Sequence, residues 1–118
     1  GTKSVFCAGT DMRAGVHSTD RGGQYGIIRR YRTKPLIAAV NGPALAGGFE
    51  IMLTCDMVVA GEETIFGLPE VRRGLFAAAG GLIRLPKRIP LAVASEMAKS
   101  MVTARRTRTA EPPGPSVN

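Results

Sequence analysis

Glu50 is the only charged residue between Lys34 and Asp56, and its neighbours are Phe49, Ile51, Met52 and Leu53. A Glu in the first turn of a helix is ordinarily a dipole-compatible surface charge. The apolar flanks weaken that reading. Just before it, Ala46-Gly47-Gly48 puts small residues at a helix start. Free backbone N–H groups and the positive end of the dipole meet there, which suits a developing oxyanion. The same three residues would serve equally well as a plain turn. A second carboxylate follows in Gly67-Leu68-Pro69-Glu70. Two carboxylates in one water-poor cleft have their pKa values pushed apart and can supply an acid and a base. Spacing does not force that meeting, and Glu70 alone reads as a solvated turn residue.

The elements that must hold these groups follow from the pattern. Ser4-Val5-Phe6 reads as the end of a strand, and Cys7-Ala8-Gly9-Thr10-Asp11 as the turn leaving it. Residues 13–23 are polar and Gly-rich, a loop. Tyr25, Ile28 and Tyr31 at helical spacing predict a helix over 24–32, ended by Pro35. The apolar run 36–40 predicts a strand buried on both faces, and 44–55 a helix. A second apolar strand is expected over 57–60, an extended segment over 65–67, and a polar turn over 69–73. Pro90 opens a last helix with Leu91, Ala94, Met97, Ala98 and Met101 on one face. Alternating strands and helices with buried apolar strands mean an α/β fold.

A length of 118 residues predicts one domain with a modest core. The formal charge of +7 favours acidic ligands such as phosphorylated cofactors. Aromatic interleaving among the Lys and Arg is almost absent, so a nucleic-acid partner is not expected. Cys7, Cys55 and His17 lie too far apart in sequence to suggest a metal site, and buried free thiols are the expectation. No apolar run approaches the ~20 residues of a membrane span, and no signal peptide is visible. A cytoplasmic location is expected. There is no G-x-S-x-G, P-loop or dinucleotide fingerprint.

Several segments, in order, resemble the enoyl-CoA hydratase/isomerase (crotonase) family. Phe6-Cys7-Ala8-Gly9-Thr10-Asp11-Met12 is similar to F-x-A-G-x-D-[LIM]. The stretch from Lys34-Pro35 through Asn41-Gly42 to Ala46-Gly47-Gly48-Phe49-Glu50 is similar to K-P-x-I-A-A-V-x-G-x-A-x-G-G-G-x-E. Cys55-Asp56-Met57-Val58-Val59-Ala60 and Phe66-Gly67-Leu68-Pro69-Glu70-Val71 continue the match, and residues 74–90 resemble G-x-x-x-x-x-G-G-x-x-R-L-P. Ala46 stands where the family usually has a third Gly, a minor change. Residues 76–81 lack the Pro of P-G-A-G-G.

The resemblance implies a ββα spiral, truncated at both ends, with a partial core over residues 1–101 and a non-matching, disordered tail over 102–118. It implies addition of water across the 2,3-double bond of an enoyl-CoA thioester, with no cofactor, because coenzyme A belongs to the substrate. The backbone N–H groups of Ala8 and Gly47 would form the oxyanion hole, and Glu50 and Glu70 the catalytic pair. Ala8, Gly9, Thr10, Asp11 and Met12, with Gly48 and Pro69, would line the substrate. Isomerases of the family often keep only the carboxylate at the position of Glu70, so an isomerase using mainly Glu70 is one alternative. A non-catalytic remnant is another. A homo-oligomer, trimer or hexamer, is the implied assembly, with no membrane partner.

Overall fold

The computed structural model of the protein describes residues 2, 4–15 and 18–100. His17, Met101 and the tail over 102–118, expected to be disordered, lie outside the described residues.

Ser18–Thr19 (β1) and Gly23–Gln24 (β2) make a small antiparallel hairpin. Two strands follow in succession, Ile37–Val40 (β3) and Ala44–Leu45 (β4), then the helix Gly47–Thr54 (α1). Two more strands come next, Met57–Ala60 (β5) and Phe66–Gly67 (β6). Each of the second pair lies parallel to its counterpart in the first. β3 pairs with β5 from Ile37↔Met57 to Val40↔Ala60, and β4 pairs with β6 at Ala44↔Phe66 and Leu45↔Gly67. Parallel neighbours require a crossover, and α1 supplies it. This is the ββα path implied by the resemblance. On its other side β4 meets Cys7, through a parallel bridge to Ala44 and a hydrogen bond from the Leu45 N–H to the Cys7 carbonyl. A 3-10 helix, Pro69–Arg73, follows β6. A short helix Gly81–Arg84 (α2) and a longer one Leu91–Ser100 (α3) complete the described chain.

The core gathers Ala38 and Val40 of β3, Phe49, Met52 and Leu53 of α1, then Leu68, Leu85 and Met97. The rings of Phe49 and Phe66 stack with centroids 5.6 Å apart, fixing α1 over β6.

Four expectations are corrected. First, β3 is not buried on both faces: Ala38 and Val40 face inward, while Ile37 is 56% exposed. Second, all of β5 is exposed, with Val59 at 63%. Its apolar residues border a cavity of about 320 Å³ shared with Met52, Phe66 and Met97, rather than a filled core. An apolar run identifies a strand but not how many faces the described elements cover. Third, residues 24–32 form no helix: Gln24 ends β2 and residues 25–29 form turns. Tyr25 and Gly26 have φ of 57° and 68°, and two successive left-handed residues cannot join a right-handed helix. Fourth, the helix expected over 44–55 begins at Gly47, because Ala44 and Leu45 pair with β6. In α3, Ala94 and Met97 are buried as expected, but Leu91 is exposed.

Ala46 caps α1 with φ 51° and ψ −128° and without a side-chain hydrogen bond. That region is nearly closed to residues with a Cβ, so the exchange of Gly for Ala is costlier than its sequence suggests. Ala46→Gly is expected to raise stability by about 1 kcal/mol, read as a higher urea midpoint. An unchanged or lower midpoint would show that the strain is relieved elsewhere.

Candidate active site

The Cys7-Ala8-Gly9 segment crosses the start of α1 at close range. Gly9 has φ 103°, and a Cβ there would meet the Ala46 Cβ at 3.0 Å and the Gly47 nitrogen at 3.2 Å. A Cβ on Gly48 would overlap the Cys7 carbonyl. Small residues therefore let two backbone segments lie side by side. The N–H groups of Phe6 and Cys7 are both taken by the Pro43 carbonyl, and those of Phe49 and Glu50 by the Ala46 carbonyl. Between them, the N–H groups of Ala8 and Gly47 donate to no described residue. Ala8 is exposed and Gly47 buried. A helix N-terminus whose N–H meets no described acceptor is electropositive and suits a ligand atom that carries negative charge.

Glu50 lies one turn along the same helix and is only 3% exposed. Its Oε1 accepts a hydrogen bond of 2.8 Å from the N–H of Gly81, the first residue of α2. Glu70 sits in the first turn of the 3-10 helix, half-buried, with its Oε2 shielded from solvent and without a hydrogen-bond partner among the described residues. Burial pushes the Glu50 carboxyl above its ordinary 4.5, the Gly81 N–H opposes this, and the charge of Glu70 adds to the rise. Burial likewise raises Glu70 above 4.5. Glu50 thus feels the charge of Glu70, and Glu70 is not a solvated turn residue.

Both carboxyls hold their protons more tightly in the fold than in the unfolded chain. Between pH 4.5 and the raised folded values the native state binds more protons, so stability falls as pH rises through that window. Below pH 4.5 both states are protonated and the cost is absent. The double replacement Glu50→Gln with Glu70→Gln is expected to flatten this fall. Urea midpoints taken from pH 4.5 up to about pH 7 would show it. Parallel profiles for the wild type and the double variant would count against the shifts.

The other expected lining residues divide. Thr10 bonds the Tyr25 hydroxyl, Oγ1 to Oη 2.7 Å. Asp11 is exposed and accepts the Arg13 N–H at 2.9 Å within its own turn, and Met12 is 57% exposed. Gly48 is buried under Cys7, and Pro69 is half-buried next to Glu70. Gly81 and Arg84 were not foreseen. Arg84 donates to the Ala79 carbonyl at 2.9 Å and the Ile28 carbonyl at 3.1 Å. It therefore clamps the loop that delivers Gly81 to Glu50, and the Gly80-Gly81 pair was the signal for that close approach. Neither of two surface cavities, the apolar one beside β5 and a basic one of about 530 Å³ around Arg30, Arg32 and Lys34, is lined by Glu50 or Glu70. Among the described residues no group of three or more His, Cys, Asp or Glu could hold a metal ion. None of the described helices is long and apolar enough to cross a membrane.

A family model described as enoyl-CoA hydratase/isomerase matches residues 1–112. The chain belongs to the enoyl-CoA hydratase/isomerase family. The match runs on past residue 90, where the quoted motifs end. Within this family the chain is 46% identical over 108 residues to the mevalonyl-coenzyme A hydratase of Aspergillus fumigatus, covering 85% of the chain and 40% of that relative. It is 39% identical over 113 residues to the carnitinyl-CoA dehydratase of Proteus mirabilis, covering 90% of the chain and 42% of the relative. The crystal structure of an enoyl-CoA hydratase from Mycobacterium marinum superposes with a TM-score of 0.79 at 48% identity, over 86% of this chain and 42% of that one. The fold is therefore the α/β crotonase fold. The chain spans about two-fifths of the length of these hydratase and dehydratase relatives.

Proposed function

We propose that the chain carries an enoyl-CoA hydratase-type site that adds water across the 2,3-double bond of an acyl-CoA thioester. The reading rests above all on one observation. Buried Glu50 and half-buried Glu70 both have raised pKa values, and Glu50 stands on the helix at whose start the N–H groups of Gly47 and Ala8 meet no described acceptor. The thioester oxygen accepts from those two N–H groups. Glu50 takes a proton from water as the water oxygen bonds to the β-carbon, and the electron pair moves through the α-carbon onto the thioester oxygen. Glu70 then gives its proton to the α-carbon, and the charge returns from the oxygen. The raised pKa of Glu70 favours a carboxyl that still holds a proton to give, and the Gly81 N–H helps keep Glu50 ionised. No cofactor is consumed, since coenzyme A leaves with the product.

A second reading has its own support. Gly81 engages Glu50, whereas the Glu70 Oε2 is unpartnered among the described residues. That asymmetry suits an isomerase that shuttles one proton through Glu70 alone. The discriminating experiment follows the absorbance of the conjugated thioester of a short 2-enoyl-CoA, and separately its formation from the 3-enoyl isomer. Hydration lost in Glu50→Gln supports the hydratase. Isomerisation that survives Glu50→Gln with no hydration in the wild type supports the isomerase. Assembly as a trimer or hexamer belongs to the same proposal. The exposed Leu75, Phe76 and Ile83 near the pair support it, as apolar surface of that kind favours burial against another copy.

A further inference from the structure

Among the described residues, Tyr25 reaches the start of α1 from outside the segments carrying the family motifs. Its hydroxyl lies so close to Gly47 that a Cβ on that glycine would fall on it. On its other side it bonds Thr10 Oγ1 at 2.7 Å. The hydroxyl thus sits between the two segments that present the free N–H groups of Ala8 and Gly47.

This placement is built in rather than incidental. Tyr25 has φ 57°, a conformation that costs a residue with a Cβ about 1–2 kcal/mol, and such strain persists only where the surroundings impose it. The surroundings do impose it. The Arg29 N–H closes the turn onto the Gly22 carbonyl at 2.8 Å, and Ile28 is buried. The Ile28 carbonyl is held by Arg84, which also holds the Ala79 carbonyl at the loop ahead of Gly81. The turn that aims Tyr25 is therefore tied to the loop that delivers Gly81 to Glu50.

Two hydroxyls share the Thr10–Tyr25 bond, and each carries one proton. Their mutual bond uses one, which leaves a second O–H without an acceptor among the described residues. That proton is free to point at the electronegative atom of a ligand seated on the Gly47 N–H.

We propose that Tyr25 is a substrate-contacting residue whose hydroxyl, paired with Thr10, hydrogen-bonds the acyl end of the bound thioester beside the Gly47 N–H. The inference rests on the acyl-CoA reading of the site. The test is equilibrium binding of acetoacetyl-CoA, an enolisable thioester that is not hydrated, followed by calorimetry and by the near-ultraviolet band of its enolate. In Tyr25→Phe, which keeps the ring, affinity is expected to fall about tenfold and the enolate band to weaken. Thr10→Val, which keeps the Tyr25 hydroxyl but removes its partner, should show a smaller loss in both. A purely structural role would not change the spectrum of the bound ligand. Equal affinity and an equal band in the wild type and Tyr25→Phe would overturn the proposal and leave the acyl-CoA reading standing. A wild-type chain that does not bind acetoacetyl-CoA would defeat both together.

Discussion

Glu70→Gln is expected to lower hydration of a short 2-enoyl-CoA by about a thousandfold, with little change in KM and an intact fold. The substitution keeps the shape of the side chain and removes the proton it would give. Glu70 makes no described hydrogen bond through Oε2, so an amide there breaks none of the described contacts. The side chain is half-buried in the first turn of the 3-10 helix, where neutrality costs less than charge. The variant should therefore be as stable as the wild type at neutral pH, or slightly more so. Loss of kcat without loss of stability separates a chemical role from a structural one. The wild-type rate should also follow a bell in pH, because Glu50 must be ionised while Glu70 holds its proton. Glu70→Gln has nothing left to titrate there, so any residual rate should lose one limb of the bell. A variant that keeps more than about a tenth of wild-type turnover would remove Glu70 from the proton transfer.

Much of this arrangement could be read from the residues, and the rest could not, for identifiable reasons. The apolar runs at 36–40 and 57–60 identify two strands because nothing polar interrupts them. Their pairing in parallel is set by α1 lying between them. Their exposure is another matter, since Val58 and Val59 look the same in sequence whether covered or bare. The turn at Tyr25 was misread because Tyr25, Ile28 and Tyr31 mimic helical spacing. The decisive fact is a left-handed backbone at a tyrosine, which its side chain does not announce. Glu50 stands out in the sequence because its flanks are apolar, which weakens the reading of a surface charge, and it is buried. Its partner Gly81 does not stand out, because a backbone N–H thirty-one residues away has no side-chain signature. Candidate residues that carry a charged side chain thus stand out in the sequence, while main-chain contacts depend on glycines whose neighbours only the fold supplies.

The same logic separates two adjacent glycines that a sequence cannot tell apart. Neither Gly47 nor Gly48 has a left-handed φ, so Ala fits the backbone at both and gains up to about 1 kcal/mol of helix propensity. What the new methyl group meets differs. At Gly47 it meets the tip of Tyr25, a partly exposed side chain that can swing aside. At Gly48 it meets the Cys7 carbonyl, and that peptide is pinned by the Leu45 N–H at 2.9 Å and the bridge to Ala44. Backbone must move, and it moves next to Ala8, whose N–H the proposed oxyanion site uses. Gly48→Ala is therefore expected to cost about 1–3 kcal/mol of stability, in line with other overpacked sites. It should also lower turnover by at least about a hundredfold, as loss of one oxyanion donor does. Gly47→Ala should stay within about 1 kcal/mol of wild-type stability and lose activity only to the extent that Tyr25 is displaced. Urea denaturation and the enoyl-CoA assay on both variants check the pair. Equal losses at the two positions would mean that the Cys7 segment yields as easily as a side chain, and that the close crossing of strand and helix does not hold the two donors in place.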